Sequence, residues 1–179
     1  MDRFSQVAQI VLGHEGGLVD DPVDRGGRTN LGVTQGTLTG ARAVIPGLPE
    51  RVDDLTTQQA LEIYRRLYWD VCKCDRMLEP VDFLVFDAAI NCGVGGAGRQ
   101  LQRALNALGA TLTEDGSIGP RTLAALDVAI SRDVWRVVGA LMRQRLRWHN
   151  DIVGRDSSQL RFLRGWLNRI IKNGEIAGL

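Results

Sequence analysis

A chain of 179 residues, 44% hydrophobic and 24% charged, carries enough apolar material for one core or two small packed lobes, which argues against disorder. The net charge of +1 conceals an asymmetry: residues 1–131 hold 17 acids against 12 bases, whereas residues 132–172 hold ten bases against three acids. That basic segment suits an anionic polymer, or serves as a solvated face paired with acids elsewhere in the chain.

Cys72, Cys74 and Cys92 lack CxxC spacing, and His14 and His149 are the only histidines. No zinc site and no cofactor is expected, and the cysteines read as reduced, mostly buried thiols. The N-terminus shows no basic region followed by an apolar stretch, and no run approaches the roughly 18 apolar residues of a membrane span. Synthesis in the cytoplasm without stable membrane insertion is the expectation.

Phe4, Val7, Ala8, Val11 and Leu12 recur at helical spacing and predict a helix over 3–14, stopped by Gly16-Gly17. From Gly16 to about Val33 the residues are turn formers, giving a structured loop or a short hairpin. Thr34 is a plausible N-cap for a short helix over 35–44. Thr56 with Gln59 makes a capping box for a helix running to about Cys72.

Glu79-Pro80 opens a helix that is apolar nearly all round, and therefore central, up to Gly93. Gly93, Gly95, Gly96 and Gly98 then form a flexible break, the best domain boundary. Further helices are expected over 98–108, 122–130 and 132–153. A last one over 157–172 is stopped by Asn173-Gly174. The fold class is all-α with one small hairpin insert.

Glu15 continues the stripe of Phe4, Ala8 and Val11, so a carboxylate ends an apolar helical face. Facing the core, it would be held protonated by desolvation, the state a general acid needs near neutrality. Facing water, it would be an ordinary last residue before a glycine cap. The following loop offers Asp20, Asp21 and Asp24, then Thr29, Asn30 and Thr34. Glycoside hydrolysis wants a second group to place water or stabilise the cation. Paired carboxyls stand ~5–5.5 Å apart in retaining and ~6.5–9.5 Å apart in inverting enzymes. Taken singly, each of these residues is as well explained by turn formation.

The whole stretch His14-Glu-Gly-Gly-Leu-Val-Asp-Asp-Pro-Val-Asp-Arg-Gly-Gly-Arg-Thr-Asn-Leu-Gly-Val-Thr34 resembles the N-terminal motif of glycoside hydrolase family 108, bacterial and phage N-acetylmuramidases also called secretion activator proteins. Only Val33 departs, where isoleucine is usual. Tyr68-Trp69 and Asp87-x-x-x-Asn91-x-Gly93 look like the family too. The resemblance implies a lysozyme-like fold of two packed helical lobes with a cleft, muramidase activity on peptidoglycan glycan strands, and Glu15 as proton donor. Asp24, nine residues later, is the second carboxylate by analogy with phage-type lysozymes. Thr29 or Thr34 would position the water.

Residues from Gly93 onward resemble the predicted peptidoglycan-binding region that follows such catalytic parts, through Asp115-Gly116-x-Ile118-Gly119-Pro120-x-Thr122-Leu123 and Arg161-Phe162-Leu163-Arg164-Gly165-Trp166-Leu167-x-Arg169. The expected division is a lysozyme-like catalytic region over 1–92 and a helical wall-binding region over 93–179, packed as the second lobe of one unit. Tyr68 or Trp69 could line a saccharide subsite by stacking on a sugar face, and Asn91 could bond its acetamido or hydroxyl groups. Trp135, Trp148 and Trp166 read as core anchors.

Two other readings stay open. One is a lytic transglycosylase using Glu15 alone. The other is a catalytically dead wall-binding or secretion-accessory protein. Nucleic-acid binding through the arginine-rich segment is not expected, and the chain is expected to act as a monomer. Since the substrate lies outside the cytoplasm, delivery through a holin-like pore or a secretion partner fits, and a leader preceding this sequence fits equally.

Overall fold

In the computed structural model, which describes residues 1–14 and 28–179, the apolar 3–4 spacing near the N-terminus becomes helix α1, Arg3–His14. Phe4, Val7, Ala8 and Val11 of that helix are buried. Asp2 caps it: the carboxylate accepts the Ser5 N–H at 2.9 Å, and the Ser5 side chain and backbone, followed by Arg65, bring its pKa down to about 2. The chain forms two compact units, residues 1–71 and 72–179.

In the first unit, strands β1 (Thr29–Asn30) and β2 (Val33–Thr34) pair antiparallel, Thr29 opposite Thr34 and Asn30 opposite Val33. Leu31 and Gly32, with φ of 51° and 72°, make the two-residue turn between them. Left-handed backbone at both central positions matches the twist of a hairpin. Thr34 then caps α2 (Gln35–Ala41), accepting from Thr37 N–H at 3.1 Å. The Thr56–Gln59 capping box opens α3 (Thr57–Tyr64). A wider turn of helix, Arg65–Trp69, follows directly, so the ordinary helical ladder ends earlier than its sequence suggests.

The second unit begins with two buried thiols, Cys72 and Cys74. The neighbouring Cys72 thiol and burial push the Cys74 thiol well above the usual range. Helix α4 (Val81–Ala107) is central as expected: every residue from Val81 to Ala89 is buried. Among the described residues it alone is long and apolar enough to cross a membrane, but 67% of its apolar window is buried inside the protein, as in a core helix.

The helix breaks within the glycine run as expected: at Gly93 (φ 73°, ψ 159°) two helical stretches of α4 meet across a kink, and Gly95, Gly96 and Gly98 are helical beyond it. Gly98 serves close approach: a Cβ there would stand 1.9 Å from the Gly116 carbonyl oxygen. The Asp115–Ser117 turn therefore lies directly on the helix, clamped by Gln102. Its Nε2 donates to Asp115 Oδ1 (2.7 Å) and Ser117 O (3.0 Å), and its Oε1 accepts from Gly116 N–H (2.8 Å). The Gly93 kink lies at the expected 92/93 division, and the compact units divide earlier in the chain, at 71/72.

Helices α5 (Pro120–Arg132) and α6 (Val134–Arg155) follow, the latter capped by Asp133. Helix α7 (Leu160–Ile176) runs through Asn173-Gly174, contrary to the expected stop. Both residues are buried, and a Cβ on Gly174 would come within 3.2 Å of Met142 of α6, so this glycine admits a neighbouring helix instead of ending its own. Trp135 also departs from expectation. It is 50% exposed, because α6 presents its first turn outward.

Candidate active site

Glu15 and Asp24, expected as acid and second carboxylate, lie outside the described residues, as does the turn-rich stretch 16–27. What frames that stretch is well defined on both sides. Upstream, α1 is pinned within its own unit by Phe4 meeting Trp69 edge-on at 5.5 Å, by Arg65 over the Phe4 ring at 5.0 Å, and by the 2.9 Å Arg65–Asp2 pair.

Downstream, the hairpin is clamped from three directions. Tyr64 donates its hydroxyl to Leu31 O at 2.8 Å, holding the tip of the turn. Asn30 Nδ2 donates to Val52 O (3.0 Å) and Leu55 O (3.5 Å), so the donor end of this expected substrate ligand is committed to the fold. Gln35 bridges the same loop, donating to Glu50 O and accepting from Val52 N–H, each at 2.8 Å. Arg28, the first residue after the undescribed stretch, pairs with Asp53 at 2.6 Å. Arg51 also bonds Asp53, and the two guanidiniums hold its carboxyl below the usual range.

Of the two expected water-positioning threonines, Thr34 binds its hydroxyl locally: it caps α2 and donates to Thr37 Oγ1 at 3.0 Å. Thr29, half-buried, stands opposite it on β1. Trp69 does not line a saccharide subsite in this structure. It is fully buried, and a ring with no exposed face cannot stack on a sugar. Tyr68 remains, half-buried, its ring 6.0 Å from that of Tyr64 and so tied to the hairpin clamp. Asn91 belongs to the second unit, where Nδ2 donates to Asp87 O at 2.9 Å, one turn back on α4.

Sequence reading marked Asp87 and Arg169 as motif residues but did not connect them as partners in the polar core of the second unit. Asp87 is buried on α4 and receives two arginines: Arg145 of α6 at 3.1 Å and Arg169 of α7 at 2.8 Å. Arg145 also reaches Cys92 Sγ at 3.1 Å. His149, one turn further along α6, stacks on Trp166 at 4.6 Å. Burial, aided by Arg145, lowers its pKa to about 4. An acid amid apolar α4 residues was the available signal, since such a charge must find partners. No cluster of three or more His, Cys, Asp or Glu suited to a metal occurs among the described residues.

Residues 8–93 match the family model described as glycosyl hydrolase 108, and residues 96–171 match the one described as "Predicted Peptidoglycan domain". No curated protein matches. Among solved structures, one titled "Structure of Brucella abortus SagA" is similar at a TM-score of 0.81 and 31% identity, over 97% of this chain and 92% of that one. The lysozyme-like helical fold, the hairpin and the two successive matches converge: the chain belongs to the glycosyl hydrolase 108 family and is a glycoside hydrolase with peptidoglycan as its substrate.

Proposed function

We propose that the chain is an N-acetylmuramidase, cutting the bond from N-acetylmuramic acid to N-acetylglucosamine with Glu15 as general acid and Asp24 as second carboxylate. Glu15 gives its proton to the glycosidic oxygen as the bond from C1 breaks. Asp24 stabilises the cation at C1 or directs the attacking water, and Tyr68 offers an aromatic face to a sugar. Residues 1–92 form the catalytic region and 93–179 the wall-binding region. What supports this reading is the family match over residues 8–93, a range that includes both carboxylates and the clamped hairpin at Thr29–Thr34. The face of α1 that leads by helical spacing to position 15 is also buried at Phe4, Ala8 and Val11.

The test is turbidity loss of purified sacculi with mass spectrometry of the released fragments. Glu15→Gln is expected to slow clearance by about 10²–10⁴-fold, the usual worth of a positioned proton donor. The products are expected to carry reducing muramic acid ends. Anhydro ends would instead mark a transglycosylase, and a wild type that binds sacculi yet clears none would mark a dead wall binder.

A further inference from the structure

On the second unit a groove of about 500 Å³ opens between the end of α4, the 109–112 connection, α5 and the start of α6. Its floor is small and aliphatic, with Leu105, Leu108, Ala125 and Val128, and no aromatic ring lines it. Arg121, Arg132 and Arg136 stand around it, all exposed. None of the three is in an ion pair among the described residues. The one acid of the lining, Asp133, is spent on capping α6, accepting from Trp135 N–H at 2.9 Å and Arg136 N–H at 3.3 Å. An adjoining hollow of about 430 Å³ shares Leu108, Asp133 and Arg136, and adds Trp135 and Arg143.

We infer that this groove docks the stem peptide of peptidoglycan, with the attached sugar lying toward Trp135. The inference rests on the reading of the chain as a muramidase, whose glycan substrate carries such peptides on its muramic acid residues. A stem peptide is short, rich in alanine methyls and bears free carboxylates. An aliphatic floor ringed by unpaired guanidiniums complements both properties, because the planar fork grips a carboxylate through two parallel bonds. Bare glycan fits the groove less well: a pyranose wants a flat aromatic face, and the exposed ring stands next door on α6. The groove therefore selects peptide-bearing strands and holds them to the second unit.

The experiment titrates the full chain with two soluble probes, a disaccharide-tetrapeptide and the same disaccharide without its peptide, following the methyl signals of Ala125 and Val128 by NMR. The tetrapeptide probe is expected to shift these signals and to bind at least about tenfold more tightly than the bare disaccharide. Arg132→Gln with Arg136→Gln is expected to weaken that binding at least about tenfold, and Val128→Asp to weaken it independently. Equal binding of the two probes, or undiminished binding by both variants, would overturn the inference. Clearance of intact sacculi is scored separately. A chain that clears sacculi without distinguishing the probes keeps its muramidase reading and loses the groove. One that binds the tetrapeptide but clears nothing keeps the groove and loses the muramidase.

Discussion

The two compact units differ in what their buried polar side chains hold together. In residues 1–71 the amides and hydroxyls of Asn30, Gln35, Gln59 and Tyr64 go to backbone groups of loops, as when Gln59 Nε2 reaches Gly47 O at 3.1 Å. In residues 72–179 Gln102 clamps one turn in the same way, but the helices are joined by buried charge, with one aspartate between two arginines tying three long helices together. The difference follows from what each must position. A hairpin of two-residue strands has almost no ladder of its own, so side chains must fix its backbone. Long helices have satisfied backbones, and only side chains can fix their mutual register.

The harshest way to break this comparison is Asp87→Ala. It removes the buried counter-charge that Arg145 and Arg169 share, at a cost of about 3–5 kcal/mol in urea unfolding. A cost under about 1 kcal/mol would mean the network is ornamental. Acid acts on the same unit more gently. His149 is neutral in the folded protein down to about pH 4, whereas the unfolded side chain takes up its proton near 6.5. Between those values the unfolded state binds more protons, so stability is full above pH 6.5 and falls as pH drops toward 4, by roughly 1–3 kcal/mol once solvent screening is allowed for. Burial and Arg145 both oppose the imidazolium, and Asp87 offsets them only in part. In His149→Phe, which keeps a ring against Trp166 but takes no proton, this stretch of the melting-temperature curve should flatten.

How much of this was legible depended on the range of the interaction. The stripe of α1, the Thr34 cap and the Thr56–Gln59 box are local, closed within four residues, and the sequence states them directly. Partners far along the chain left no such trace. Arg169 meets an aspartate 82 positions earlier, and nothing near either residue announces the other. The glycines divide on the same line. Gly93 kinks α4 where a break was expected, whereas Gly98 and Gly174 each make room for a segment that arrives from elsewhere. Trp69 and Trp135 exchanged their expected places, since burial of a ring is decided by whatever packs over it. In the candidate site, the motif marked the hairpin correctly, but that Asn30 clamps the 52–55 loop could be seen only once that loop was in place.

The first unit offers the smaller and more selective test. Leu31 holds a φ of 51°, which costs a residue with a Cβ roughly 1–2 kcal/mol, so the turn persists only because something secures it. The Tyr64 hydroxyl is one such fastening, at 2.8 Å from the Leu31 carbonyl oxygen. Tyr64→Phe keeps the buried ring and removes only that bond, for a loss of about 1 kcal/mol in stability. If the hairpin positions the groups that handle substrate, clearance of sacculi should fall several-fold although the protein remains folded at the assay temperature. Asp87→Ala should fail in the converse manner, losing activity only as fast as it loses folded protein. A Tyr64→Phe variant with undiminished clearance would detach the hairpin from catalysis, leaving its clamps to serve the fold alone.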